Sequence, residues 1–214
     1  MAGAVQITYL FDPLCGWCYG ASPVIEKLVA HTGIALQLSP VGLFAGEGAF
    51  AMNDGFAAHV READARIARM TGQVFSPAYY SNVLGDRTRR IDSGAATLAL
   101  TAVALSDPGR EFAALKAIQF ARYVDGLDNT DPAVIATLLE GLGLHEAAAR
   151  LLQPDEELHA ACQNRTKAGR DEMARFGARG VPALVAGSGE TRRLIPSDRL
   201  FGNADALIEA LQAA

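Results

Sequence analysis

The apolar positions near the N-terminus follow two rhythms. Val5-Gln6-Ile7-Thr8-Tyr9-Leu10-Phe11 alternates and then turns wholly apolar, as a strand entering a core should. Val24, Ile25, Leu28 and Val29 then fall at helical spacing, with Ser22 and Pro23 as start signals, so a helix is predicted over 22–30. A second strand is predicted over Ile34–Val41, where Ile34, Leu36 and Leu38 alternate with Ala35, Gln37 and Ser39. Strand, helix, strand is a βαβ order and predicts a parallel pair.

From Leu43 to about Pro154 the pattern is helical, punctuated by Asp92-Ser93, Asp107-Pro108-Gly109, Asp131-Pro132 and Gly141-Leu142-Gly143. Val134, Ile135, Leu138, Leu139 and Leu142 form a clear amphipathic stripe, and no strand of comparable quality is predicted here. Asp92-Ser93 reads as an N-cap. A long helix then runs to about Phe176, with Leu158, Cys162, Gly169, Met173 and Phe176 close to one face. Gly180–Ala186 reads as a turn into an apolar strand and Gly187–Glu190 as a hairpin turn. Arg193-Leu194-Ile195 is the partner strand, and Asn203–Gln212 a closing helix. The predicted organisation is a discontinuous α/β domain, residues 1–44 plus 155–214, split by a helical insertion domain over 45–154. The two outer pieces hold roughly 100 residues, the usual scale of one domain.

Half of the 214 residues are hydrophobic, enough for a sizeable core. A net charge of −5 and a pI near 5.4 argue against nucleic acid as the main partner. No apolar run approaches the roughly 20 residues that span a bilayer. The N-terminus has no positive n-region and enters the first strand directly, so no secretory signal is expected. Three cysteines do not make a secreted disulfide framework. These features together predict a cytoplasmic chain with neither nucleic acid nor membrane as partner.

The chemistry is concentrated in Cys15-Gly16-Trp17-Cys18, at the point where the first strand gives way to a helix. A CxxC there is a redox signal more than a metal signal. A Cys₃His zinc set from Cys15, Cys18, His159 and Cys162 is the alternative, but there is no second CxxC or close HxxxH, and no metal is expected. Cys162 reads as a small hydrophobe on the stripe with Leu158 and Met173. His31, His59 and His145 show no partner pattern and read as surface residues.

Three features resemble the DsbA-like branch of the thioredoxin superfamily. They are the Tyr9-Leu10-Phe11-Asp12-Pro13-Leu14-Cys15-Gly16-Trp17-Cys18 run, the distant Gly180-Val181-Pro182, and the helical insertion with its Ala121-Arg122-Tyr123-Val124-Asp125-Gly126-Leu127-Asp128 stretch. The first run is most similar to a group labelled predicted protein-disulfide isomerases. The resemblance implies an α/β, thioredoxin-like fold with a large all-helical insertion, and a thiol:disulfide oxidoreductase, either reductase or isomerase. It implies a cis-proline at Pro182 facing the CxxC, leaving the Val181 backbone free to pair with an extended substrate.

Cys15, at the positive end of a helix, is expected to be the attacking thiolate, and the more buried Cys18 to resolve the mixed disulfide. Asp12 is a candidate proton relay, with an ordinary Asp-Pro turn as the plainer reading. DsbA carries Pro-His between its cysteines where this chain has Gly16 and Trp17. Without a histidine to stabilise the thiolate, a potential of about −270 to −180 mV is expected instead of about −120 mV. That favours reduction or isomerisation. The expected working group is the redox-active disulfide itself, with glutathione as co-substrate and thiol reductant and a protein or small-molecule disulfide as substrate.

Two other functions stay open on the sequence: a kappa-type glutathione-dependent transferase or isomerase, and a non-catalytic redox sensor. Phe44, Phe56, Phe75, Tyr79 and Tyr80 are candidates to line a groove over the site, two of the five being expected to do so.

Overall fold

The computed structural model describes residues 4–213. Strand β1 (Val5–Phe11) lies centrally in a four-stranded sheet, which is why its burial pattern begins alternating and ends fully buried. Helix α1 (Gly16–Ala30) follows, and β2 (Ile34–Pro40) returns parallel to β1 with Tyr9 opposite Leu38. The predicted βαβ order holds, but the helix begins at Gly16 instead of Ser22, with Pro23 inside it. A mid-helix proline leaves the carbonyl four residues earlier without its donor. That carbonyl belongs to Tyr19, and the Gln73 side-chain amide donates to it at 2.8 Å. The freed carbonyl is thus satisfied from outside the helix, by a partner that local pattern could not reveal.

The chain then enters the insertion. A short strand β3 (Phe50–Ala51) precedes α2 (Asp54–Thr71), a π-helical turn at Tyr79–Val83, and β4 (Arg90–Ile91). β3 and β4 pair antiparallel, so the block expected to be all helical carries one small ribbon. Two-residue strands are too short to leave an alternating signature. Helices α3 (Gly94–Ser106), α4 (Glu111–Tyr123), α5 (Pro132–Gly141) and α6 (His145–Leu152) complete it. Asp131 caps α5 by accepting from Ala133 N at 2.8 Å, with Pro132 at the first helical position.

Helix α7 (Glu156–Phe176) leads back to the sheet, capped by Asp155 at its start and by left-handed Gly177 at its end. Its Arg165 donates to the Leu38 carbonyl of β2, to the Leu100 carbonyl of α3 and to Glu111 of α4. One side chain thereby ties the sheet to the insertion. Strands β5 (Ala183–Ala186) and β6 (Arg193–Ile195) form the expected hairpin, giving the order β2-β1-β5-β6, with β5 antiparallel to β1. Helix α8 (Ala204–Gln212) closes the chain. One continuous cluster of buried apolar residues runs from Ile7 and Leu184 in the sheet to Leu100, Ile135 and Leu139 in the insertion. Among the described residues, no helix is long and apolar enough to cross a membrane.

Candidate active site

Cys15 is the N-cap residue of α1, with extended backbone (φ −79°, ψ 118°). The helix begins here because the Asp12 carboxylate accepts from Leu14 N at 2.9 Å, while the Asp12 carbonyl accepts from Cys15 N at 3.1 Å. This tight turn puts the Cys15 sulfur at the positive end of the helix. Cys15 is 7% exposed and Cys18, one turn on, is wholly buried; both are thiols. Burial, and after it the neighbouring Cys15, push the Cys18 thiol well above its ordinary range.

The Val181-Pro182 peptide is cis, and the Cys15 thiol donates to the Val181 carbonyl at 3.6 Å. Residues 166 positions apart thus meet at one sulfur. Gly16 and Trp17 continue the helix. A Cβ on Gly16 would lie 3.3 Å from the Asp64 carboxylate, so only glycine fits there without displacing a neighbour. Trp17 packs edge-on against Phe201 at 5.3 Å between centroids, with the Arg66 guanidinium 5.5 Å from its ring.

Asp12 is fully buried, and its carboxylate holds three donors: Leu14 N, Phe44 N at 3.2 Å and the Ser93 hydroxyl at 2.7 Å. Burial raises its pKa, and these hydrogen bonds partly oppose the shift. Ser93 is the N-cap residue of α3, as expected from Asp92-Ser93, but its side chain works elsewhere. Ser93 makes no side-chain cap bond because its hydroxyl is spent on Asp12, while Asp92 accepts from Gly94 N at 2.8 Å.

Two recesses flank Trp17. One, of about 390 Å³, lies along the cis-proline edge of the sheet, between β5–β6 and Phe201. The other, of about 310 Å³, lies between the α1 N-terminus and the insertion, and Cys15 is part of its lining. Trp17, Arg179, Gly180 and Val181 border both. Of the five aromatic candidates, Phe44, Phe56 and Tyr79 line the second recess. Phe75 instead packs on Tyr19 and Tyr123, and Tyr80 lies under Arg61 at 4.5 Å. His59 is exposed as expected, but sits at this recess.

Sequence reasoning missed the polar floor of the second recess. Asp64 is 1% exposed and Arg122 3% exposed, and both lie in its lining beside Tyr79 and Tyr123. Asp64 Oδ2 and Arg122 Nε have no hydrogen-bond partner. Burial drives the Asp64 carboxyl up to about 7, against the opposing effects of the Tyr79 hydroxyl, Arg122 and Arg61. The available signal was position: Ala57, Val60, Asp64 and Ile67 share one face of α2, so a carboxylate occupies an apolar slot.

Cys162 is only partly buried. It lies on α7, and the nearby Thr101 and Thr166 hydroxyls oppose the upward push of burial on its thiol. The expected core position is corrected to a partly buried one: Cys162 shares the α7 face of the buried Leu158 and Gly169 but borders a shallow recess with Thr166 and Arg170. The described residues contain no group of three or more His, Cys, Asp or Glu placed to hold a metal ion.

The DSBA-like thioredoxin domain model matches residues 6–208. Among solved structures, cytosolic disulfide reductase DsbM from Pseudomonas aeruginosa superposes with a TM-score of 0.86 at 31% identity, covering 98% of this chain and 100% of that one. The same protein with GSH gives a TM-score of 0.83. Oxidoreductase DsbA from Xylella fastidiosa, at 15% identity and a TM-score of 0.53, covers 100% of this chain and 89% of its own and shares the fold. So does 2-hydroxychromene-2-carboxylate isomerase, at 18% identity and 0.62, over 97% and 95%. No curated protein matches the sequence. A dithiol at a helix start, a cis-proline against it and a family match over nearly the whole length agree: the chain belongs to the DsbA-like thioredoxin family.

Proposed function

We propose that this protein-disulfide oxidoreductase works as a cytoplasmic reductase, through Cys15 and Cys18, with glutathione restoring the dithiol. The observation that carries the reading is the meeting of Cys15 with the carbonyl before cis-Pro182, while Cys18 waits one helical turn deeper. The Cys15 thiolate attacks one sulfur of a substrate disulfide, forming a mixed disulfide and releasing the other sulfur as a thiolate that takes a proton from solvent. Cys18 then gives up its proton and attacks the Cys15 sulfur, closing the internal bridge and releasing the second substrate sulfur as a thiolate that takes a proton from solvent. Two glutathione molecules return both electrons and leave as glutathione disulfide.

Each residue has a stated part. Burial keeps Cys18 protonated, and hence unreactive, until the mixed disulfide forms beside it. Asp12, buried in the same turn, is the acceptor of that proton. Val181 offers its backbone to an extended substrate, and Pro182 holds the strand end against Cys15. Gly16 and Trp17 supply close approach and a substrate-facing wall, without a charge that would make the pair strongly oxidising. The likeness to DsbM, a cytosolic disulfide reductase that has been solved with GSH, supports the direction, the compartment and the reductant.

The test is a glutathione redox titration followed by Trp17 fluorescence, since Trp17 is the sole tryptophan and lies between the two cysteines. A midpoint within about −270 to −180 mV is expected. A midpoint near DsbA, at about −120 mV, overturns the direction. Full turnover of a glutathione-dependent isomerisation by Cys18→Ser would overturn the dithiol mechanism itself.

A further inference from the structure

Two recesses meet at Trp17, and their charged groups are unequal. Among the described residues, the cis-proline recess has one acidic or basic side chain, Arg179, and the recess of Cys15 has four, His59, Asp64, Arg122 and Arg179. Asp64 and Arg122 are buried, while Arg179 and His59 are exposed. Of the exposed pair, the arginine keeps its charge at any working pH. Both approaches to the reactive sulfur thus carry an accessible cation and, among the described residues, no accessible carboxylate.

The fold places this cation beside the chemistry. Left-handed Gly177 ends α7, and the chain then runs through Arg179 to Val181, whose carbonyl accepts from Cys15 Sγ at 3.6 Å. Two residues of extended chain span about 7 Å at most, so Arg179 stands close to any group joined to the Cys15 sulfur. Arg66 of α2 adds to the same field, with its guanidinium 5.5 Å from the Trp17 ring. Among the described residues, neither arginine is ion-paired. The exposed acids Glu62 and Asp198, near these segments in sequence or fold, line neither recess. The chain as a whole carries a net charge of −5 and repels anions, so a preference for them at Cys15 has to arise locally.

We propose that Arg179 selects the small-molecule substrates of this site: disulfides with a carboxylate a few bonds from the sulfur. The proposal deepens the oxidoreductase reading and rests on Cys15 acting as the nucleophile. The Cys15 thiolate attacks one sulfur and the S–S bond breaks. The half now joined to Cys15 sets its carboxylate against the Arg179 guanidinium, while the other half leaves as a thiolate that takes a proton from solvent. Cys18 gives up its proton and attacks the Cys15 sulfur, and the seated half leaves as a second thiolate, likewise protonated. Two electrons thus pass from the dithiol to the disulfide. A guanidinium takes a carboxylate through two parallel N–H donors and offsets the repulsion between an anionic substrate and the attacking thiolate. A hydroxyl-ended disulfide gains little there, and an ammonium-ended one is repelled. Glutathione carries carboxylates, so it and its disulfide fall in the favoured class.

Three disulfides of similar length separate charge from shape: 3,3′-dithiodipropionate, a dianion; bis(2-hydroxyethyl) disulfide, neutral; and cystamine, a dication. Stopped-flow Trp17 fluorescence, checked by loss of free thiol, gives the rate at which each oxidises the reduced full chain. Dividing by the rate of the same disulfide with dithiothreitol removes differences in leaving group. The dianion should exceed the neutral compound about fivefold, the upper range for one exposed ion pair, and the dication should fall below it. Arg179→Gln should bring both ratios towards one, and Arg179→Glu should reverse the order. A wild-type ratio of one overturns the selection. So does an unchanged ratio in Arg179→Gln, which is what a role confined to the Cys15 thiolate would give, since that scales all three rates together. Should both variants fail to fold, salt decides on the wild-type chain. Between about 0.01 and 1 M the screening length falls from about 30 to 3 Å, and ratios that do not shrink overturn the electrostatic basis. A wild-type chain that reacts with none of the three overturns the oxidoreductase reading and this selection with it. Reaction without preference overturns the selection alone.

Discussion

Replacing Asp64 with asparagine should make the protein more stable, and more so at high pH than at low pH. The carboxyl has an ordinary value of 3.8 and is driven up to about 7 in the fold, chiefly by burial. Between those values the unfolded chain releases a proton that the folded chain keeps, so stability falls as pH rises from about 4 to 7 and then levels off. Asparagine keeps the shape and the Tyr79 partner but does not titrate. Three pKa units correspond to about 4 kcal/mol in full. About 1.5 kcal/mol of this is already lost at pH 5, which leaves a difference of about 2.5 kcal/mol between pH 5 and pH 8. Urea unfolding of both proteins at the two pH values measures it. Comparing the pair cancels Asp12 and Glu111, whose carboxyls are also raised by burial. An advantage of asparagine that is equal at pH 5 and pH 8 would show that Asp64 is ionised in the fold throughout, and would refute the reasoning.

Asp12→Asn should slow the second step, closure of the bridge by Cys18, while leaving attack by Cys15 on an outside disulfide within a few-fold. Stopped-flow Trp17 fluorescence separates the steps, and equal slowing of both would remove Asp12 from proton transfer. Gly20→Ala places a Cβ 2.6 Å from Ile67 Cγ2, so overpacking of about 1–3 kcal/mol should outweigh the gain in helix propensity. Thermal unfolding of Gly20→Ala alone and with Ile67→Ala checks this, since the second change should relieve the clash. Gln73→Ala removes the donor to Tyr19 O and should cost about 1 kcal/mol; in a Pro23→Ala background, where a main-chain donor returns, the cost should fall towards zero.

What was legible in the sequence follows from how far each signal reaches. The CxxC and the Val181-Pro182 pair stood out because the chemistry needs those residue types, and the structure brings them to one sulfur. The start of α1 was misplaced because Pro23 ordinarily marks a first turn, and the side chain that accommodates it lies 54 residues from Tyr19. Ser93 has the composition of a cap, but a bond to Asp12, 81 residues away, outbids that local use. Asp64 was hidden by its neighbours Arg61, Glu62 and Arg66, which make one more charge on α2 look like solvated surface. Patterns along a chain report local preferences, and each miss was settled by a partner remote in sequence.

The three donors gathered by Asp12 also constrain how the site can breathe. Leu14, Phe44 and Ser93 belong to three separate segments, and Ser93 N additionally donates to Phe44 O at 3.1 Å. A swing of the whole insertion away from Cys15 would break the Asp12 bonds to Phe44 and Ser93 together. Residues 45–92 form a loop whose two ends are pinned at that point, and this loop carries the α2 wall over the reactive sulfur. Opening is therefore confined to a flap rooted at Phe44 and Ser93, with the amides of Leu14, Phe44 and Ser93 staying protected from solvent exchange as it moves.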